Sequence, residues 1–193
     1  NRWQESDVFC RLDYPIIELA GKTLGIIGLG ELGSAVAKLG QALGMAVLAL
    51  RSENGAESAT IPRVSMEELL CKADFLSLHC PLTETNTGLV DESFLAKMKP
   101  SAFLINTARG GLIQTEALLD ALDQGLIRGA AIDVLTKEPA TPDEPLLAMP
   151  RPNLIVTPHN AWGASESRAQ LIDQLCENIE AWQAGTPIRR VNP

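Results

Sequence analysis

Thr23-Leu-Gly-Ile-Ile-Gly28-Leu-Gly30-Glu31-Leu32-Gly33 decides the fold of this 193-residue chain. The run reads as a short buried strand, a tight glycine turn and the first turn of a helix. Ala35-Val-Ala-Lys-Leu39 continues the helix, and a second apolar strand follows. A G-x-G-x-x-G in that setting is the pattern by which a βα unit cradles a dinucleotide. Gly28 makes the turn, Gly30 lets the backbone approach a pyrophosphate, and Gly33 lets helix and strand pack closely. The phosphates would sit on the positive end of the helix.

Outward from this unit, apolar runs alternate with helical patterns, which predicts parallel α/β layering. Strands are expected near 23–27, 45–50, 74–78, 101–106, 127–132 and 153–156. They are rich in Val, Ile and Leu and do not alternate, as strands buried on both faces should not. Helices are expected at about 31–43, 65–71, 91–97, 114–124 and 165–184, with Gly44 and Gly125 as C-terminal caps. Ser165-Glu-Ser-Arg168 resembles a capping box. Leu171, Leu175, Ile179 and Trp182 form a helical stripe that reads as ordinary core, with a partner-binding groove as the alternative and part of it exposed if the domain it packs toward is absent. Glu138-Pro-Ala-Thr-Pro-Asp-Glu-Pro145 is expected to be a surface loop.

The bulk properties exclude several classes. The net charge of −8 disfavours nucleic acid as a partner, since phosphate neutralisation needs a basic face. No apolar run reaches membrane-spanning length, and the polar start does not read as a signal peptide. Cys10, Cys71, Cys80 and Cys176 are scattered, which suits free thiols in a cytoplasmic protein and no metal site. The first residue is Asn, and the chain reads as a piece of a larger protein.

At the end of the second strand stand Arg51 and Ser52. An acid at this point accepts hydrogen bonds from a ribose 2′-hydroxyl, whereas an Arg suits a 2′-phosphate. Arg51 therefore leans the cofactor toward NADP. Glu53 as an NAD-type acid, and Arg51 as a solvated loop charge, remain alternatives.

Three later segments carry candidate chemistry. Leu104-Ile-Asn-Thr107-Ala108-Arg109-Gly-Gly places an Arg at a strand end, where such sheets bind ligands. Asp133 to Pro139 carries Glu138, and Thr157-Pro-His159-Asn-Ala161-Trp162 carries one of the chain's two histidines. A His exchanges protons near neutrality, a neighbouring carboxylate favours its charged form, and an Arg grips a carboxylate bidentately. A 2-keto or 2-hydroxy acid needs that combination. A structural salt bridge for Arg109, a satisfied strand-end role for His159 and a surface charge for Glu138 are the competing readings. His79 reads as a packing or cofactor-rim residue rather than a proton donor.

The chain strongly resembles the D-isomer-specific 2-hydroxyacid dehydrogenase family. The likeness lies in Gly21 to Gly30, Leu78-His-Cys80-Pro81-Leu-Thr83, Ile105 to Gly111, Asp133 to Pro139 and Thr157-Pro-His159, in the right order along the chain. Arg2 to Asp7, Asp13-Tyr-Pro15 and Ala161-Trp162 look most like the glycerate dehydrogenase (hydroxypyruvate reductase) branch.

The resemblance implies a doubly wound Rossmann domain, the cofactor half of a two-domain NAD(P)-dependent oxidoreductase. It implies Arg109 on the substrate carboxylate, His159 as acid/base and Glu138 as its support. Gly28, Gly30, Glu31, Leu32, Gly33, Arg51, Ser52, Cys80, Pro81, Asn86, Thr107, Ala108, Asp133, His159 and Ala161 would line the cofactor site, with Asp133 on the nicotinamide amide. Residues 1–164 would form the cofactor domain, and 165–193 would return toward a substrate domain lying outside this sequence. A small 2-keto acid such as hydroxypyruvate or glyoxylate and a homodimer partner are expected. A cofactor-gated corepressor, or a cofactor-binding piece without activity, is the alternative. Two positions depart from the family pattern: Asn160, where Ile is common, and Gln114, where an acid is frequent.

Overall fold

The computed structural model describes residues 2–13, 15–51 and 60–191. Tyr14, Ser52 and Glu53 lie outside them. A parallel sheet is built from β1 (Thr23–Ile27), β2 (Ala46–Leu50), β3 (Arg63–Val64), β4 (Phe75–Leu78), β5 (Phe103–Asn106), β6 (Gly129–Ile132) and β7 (Leu154–Val156). Their order is β3-β2-β1-β4-β5-β6-β7, every neighbouring pair running parallel. The order reverses between the adjacent strands β1 and β4, and that reversal is where doubly wound sheets hold ligands.

The helices are α1 (Glu31–Ala42), α2 (Met66–Lys72), α3 (Glu92–Ala96), α4 (Thr115–Asp123) and α5 (Ser165–Gln183). Ser65 and Asp91 cap α2 and α3, their side chains accepting from Glu68 N–H and Phe94 N–H. Gly44 and Gly125 adopt φ +77° and +68° just past α1 and α4, the left-handed geometry of a helix stop.

Two apolar clusters sandwich the sheet. Leu24, Ile26, Val47 and Ala49 pack with Ala37 of α1. Ile27, Leu76, Leu78, Leu104 and Ile132 pack with Leu69, Leu95, Leu118 and Leu122 of α2, α3 and α4. Leu24 and Ile26 point one way and Ile27 the other, as alternate strand side chains must.

The structure corrects three sequence expectations. A seventh strand, β3, was not foreseen. The residue capping α5 is Ala164 with no side-chain hydrogen bond, so Ser165 opens the helix without closing a capping box. None of the residues of α5 is buried, and Leu175 and Trp182 are 52% and 73% exposed, so the stripe is not core in this chain. The proline-rich stretch is a loop as expected, its last residue opening a 3-10 turn at Pro145–Leu147.

Candidate active site

The glycine turn is shaped by close approach. Gly28 sits at φ +98°, and a Cβ there would lie 2.6 Å from the Cys80 nitrogen. A Cβ on Gly33 would lie 2.0 Å from the Gly28 carbonyl oxygen. At Gly30 a Cβ would meet nothing within 4 Å, so the turn is open on that side. Gly30 caps α1 without a side-chain hydrogen bond, so no side chain there competes with an anion for the first N–H groups. Glu31 and Leu32, in that first turn, are exposed.

A cleft of about 440 Å³ runs from this turn and is lined by Gly28, Gly30, Leu50, Arg51, Cys80, Pro81 and Asn86, together with Arg63 and Met66. Asn86 donates from Nδ2 to the Pro81 carbonyl at 2.8 Å and accepts from Thr83 N–H at 2.7 Å, which folds the 81–86 loop against the cleft. Burial pushes the Cys80 thiol pKa upward, so it packs as a neutral group. His79 hydrogen-bonds Ser77 Oγ at 2.9 Å, and burial lowers its pKa. Its backbone backs directly on Gly28, in keeping with a rim role.

The catalytic candidates follow β5, β6 and β7, three neighbouring strands. The fully buried Asn106 ends β5 and braces the next turn twice: it accepts from Ala108 N–H at 3.0 Å and donates to the Arg109 carbonyl at 2.9 Å. Thr107 and Arg109 are thereby held at the surface, with the Arg109 guanidinium donating to the Ala108 carbonyl at 2.6 Å. A Cβ on Gly110 would lie 2.0 Å from the Leu135 carbonyl carbon, so Gly110 lets the β5 and β6 loops touch.

Leu135 N–H donates to Glu138 Oε1 at 2.8 Å, and Glu138 Oε2 meets His159 Nδ1 at 2.7 Å. The Leu135 bond and then the His159 bond hold the Glu138 pKa below its usual value. An ionised carboxylate only accepts hydrogen bonds, so Nδ1 carries the hydrogen and Nε2 is the nitrogen left for a substrate. Sequence reasoning foresaw this pairing. Arg109 sits one loop away, and its guanidinium bonds the Ala108 carbonyl rather than the pair.

His159 has φ +49°, a conformation costing a non-glycine residue about 1–2 kcal/mol. Asp133, 4% exposed, holds the turn in place. It accepts from Thr157 Oγ1 at 2.5 Å, Asn160 N–H at 3.0 Å and Ala161 N–H at 3.0 Å. Burial alone would raise the Asp133 pKa, but these bonds outweigh it and keep the carboxyl below its ordinary value. Trp162 Nε1 donates to the His159 carbonyl at 3.0 Å. Asn160 contributes its backbone to this bracket, so the departure from Ile does not disturb it. Asp133, His159 and Glu138 also line a neighbouring cleft of about 520 Å³ whose other walls include Leu135, Leu147 and Val156.

Sequence reasoning missed three contributors. Arg63 and Met66 reach the cofactor cleft from β3 and α2, and Asn106 braces Arg109. Only Asn106 left a signal, a polar residue closing an apolar strand.

The sequence profile described as D-isomer specific 2-hydroxyacid dehydrogenase, NAD binding domain, matches residues 1–161. A glycerate dehydrogenase of Methylorubrum extorquens is 47% identical over 187 residues, covering 96% of this chain and 57% of that protein. A hydroxypyruvate reductase of Blautia hydrogenotrophica is 42% identical over 193 residues, covering 99% and 59%. Among solved structures, an acyclic imino acid reductase in complex with NADPH and D-Arg superimposes with a TM-score of 0.86 at 35% identity, covering 97% of this chain and 59% of that one. The chain thus spans less than two thirds of the length of each of these proteins.

Proposed function

The chain belongs to the D-isomer specific 2-hydroxyacid dehydrogenase family, and we propose that the whole protein is an NAD(P)-dependent oxidoreductase of a small 2-keto acid, hydroxypyruvate or glyoxylate. The observation that carries this reading is the 2.7 Å bond between His159 Nδ1 and Glu138, beside the loop of Arg109. The glycine turn, the uncapped start of α1 and the cleft from Gly28 to Asn86 fit a dinucleotide. A bound reduced nicotinamide supplies the hydride for the keto carbon. His159 Nε2 gives a proton to the oxygen of that carbonyl. Glu138 keeps the imidazole oriented with Nε2 toward the substrate, and Arg109 anchors the substrate carboxylate. Asp133 acts chiefly by holding the His159 turn.

Arg51 leans the cofactor toward NADP. Residues 1–164 serve as the cofactor domain, and 165–193 return to a substrate domain. The protein works as a cytoplasmic homodimer. Retention of Arg109, Glu138 and His159 together favours the enzyme over a corepressor-like role.

The test is oxidation of NADPH and NADH by the full-length protein with hydroxypyruvate, glyoxylate and pyruvate. His159→Ala is expected to lower turnover by about 10²–10⁴, the general-acid contribution, with cofactor affinity retained. Unchanged turnover in that variant ends the His159 assignment.

A further inference from the structure

One indole N–H reaches back to the residue on which the proposed chemistry depends. Trp162 stands three residues past His159 and is 55% exposed, so its ring contributes little to the core. The Asn160 carbonyl accepts from Gly163 N–H at 2.9 Å and closes a turn over 160–163 that folds the chain back toward His159. A Cβ on Gly163 would lie 3.1 Å from the Asn160 carbonyl oxygen, so glycine suits the tightness of this turn. Trp162 Nε1 then donates to the His159 carbonyl at 3.0 Å. On the opposite side of the same peptide unit, Asn160 N–H donates to Asp133 Oδ1 at 3.0 Å. The unit joining His159 to Asn160 is therefore held at both ends.

We propose that Trp162 is a positioning residue, whose indole N–H locks the His159–Asn160 peptide and thereby keeps the His159 imidazole on Glu138. The inference rests on the dehydrogenase reading of the site and adds to it the group that fixes the acid/base. The chemistry of the bracket calls for a donor at this point. An ionised carboxylate only accepts hydrogen bonds, so Asp133 secures the N–H side of the unit and leaves the carbonyl to a donor. An indole N–H donates only and matches that carbonyl. The geometry at stake is left-handed, with His159 at φ +49°. A non-glycine residue leaves that narrow region by changing φ and ψ together, and rotation of the 159–160 unit is the ψ of His159. With the unit pinned, the ring stays where Nδ1 meets Glu138 Oε2 at 2.7 Å and Nε2 is left for a substrate.

The experiment compares Trp162→Phe and Trp162→Gln in the full-length protein by single-turnover oxidation of NADPH and NADH with hydroxypyruvate, glyoxylate and pyruvate. Phenylalanine keeps an aromatic ring and loses the N–H. Glutamine loses the ring and places an amide N–H as many bonds from the backbone as the indole nitrogen. Trp162→Phe is expected to slow the single-turnover rate at saturating keto acid about three- to tenfold, the worth of one hydrogen bond, with keto-acid KM and cofactor Kd within about twofold of the unmodified protein. Trp162→Gln is expected to run about threefold or more faster than Trp162→Phe, rescued by the returned donor. A Trp162→Phe as fast as the unmodified protein, or a Trp162→Gln as slow as Trp162→Phe, shows that the donor is not what matters and overturns the inference. A change confined to KM, which marks contact with the substrate, overturns it too, as does cofactor affinity lost in step with the rate, which marks general damage to the fold. Each of these results leaves the dehydrogenase reading standing. Failure of the unmodified protein to oxidise either cofactor with any of the keto acids overturns that reading and this inference with it.

Discussion

A carboxylate at 4% exposure that accepts three hydrogen bonds explains how His159 is held at a positive φ, because Asp133 ties both the residue before Pro158 and the two residues after His159. Two predictions belong to this scale. Asp133→Asn removes the charge from these bonds and should cost about 1.5–3 kcal/mol at pH 7, the range for hydrogen bonds to a charged group. The folded-state pKa of Asp133 is depressed below 3.8, so its contribution is present above that value and is lost as pH falls through the folded pKa. Urea midpoints of the two proteins should therefore differ steadily from pH 7 to about pH 5 and converge below pH 3.8. A gap that persists at the lowest pH would assign the effect to shape rather than charge. Glu138→Gln tests the other contact of the histidine turn. The amide leaves one oxygen for two donors, Leu135 N–H and the His159 Nδ1 hydrogen, so turnover of the whole protein should fall about tenfold or more with cofactor affinity retained. Unchanged turnover in steady-state assays of that variant would remove Glu138 as the support of His159.

The glycines of the βα1 element make opposite predictions from one sequence motif. Gly33 is inside a helix, where alanine normally gains about 1 kcal/mol over glycine. Here the added Cβ would stand 2.0 Å from a backbone oxygen of the turn, which has no flexible end to swing away. Gly33→Ala should therefore lower the melting temperature and abolish its rise with NADPH. Gly30→Ala meets nothing within 4 Å and should change stability by less than about 1 kcal/mol, while weakening the cofactor because its methyl enters the open side of the turn. Thermal unfolding with and without NADPH separates the two outcomes. Legibility at this scale follows the same physics. Strands β1, β2 and β4 to β7, and all five helices, are legible because each carries a run of apolar residues or a helical period. β3 has two residues, too few for any period, and so Arg63 was invisible as a cleft residue. The start of α5 misled because Ser165 and Glu166 look like cap chemistry, although the chain enters the helix one residue earlier.

Across the whole molecule, apolar surface is left uncovered at one end. Ile105, Ala131 and Ile155 stand in register across β5, β6 and β7, and Ile155 is 64% exposed. The entire apolar stripe of α5 is likewise exposed, although its spacing reads as core. Spacing reports which face of a helix is apolar and says nothing of what lies against it, so the sequence located the helix and its stripe but not what covers the stripe. The proposed substrate domain gives the stripe a partner, and one substitution measured in two settings tests that. In the 193-residue chain, Leu175→Ala removes little buried area and should change the urea-unfolding free energy by no more than about 0.5 kcal/mol, as surface changes do. In the whole protein the same change should cost about 2–5 kcal/mol, the range for emptying a packed leucine site. Equal, small effects in both would leave α5 without a packing partner, and the assignment of residues 165–193 to the substrate domain would fall. A large loss in the 193-residue chain would instead mean that α5 supports the cofactor domain directly.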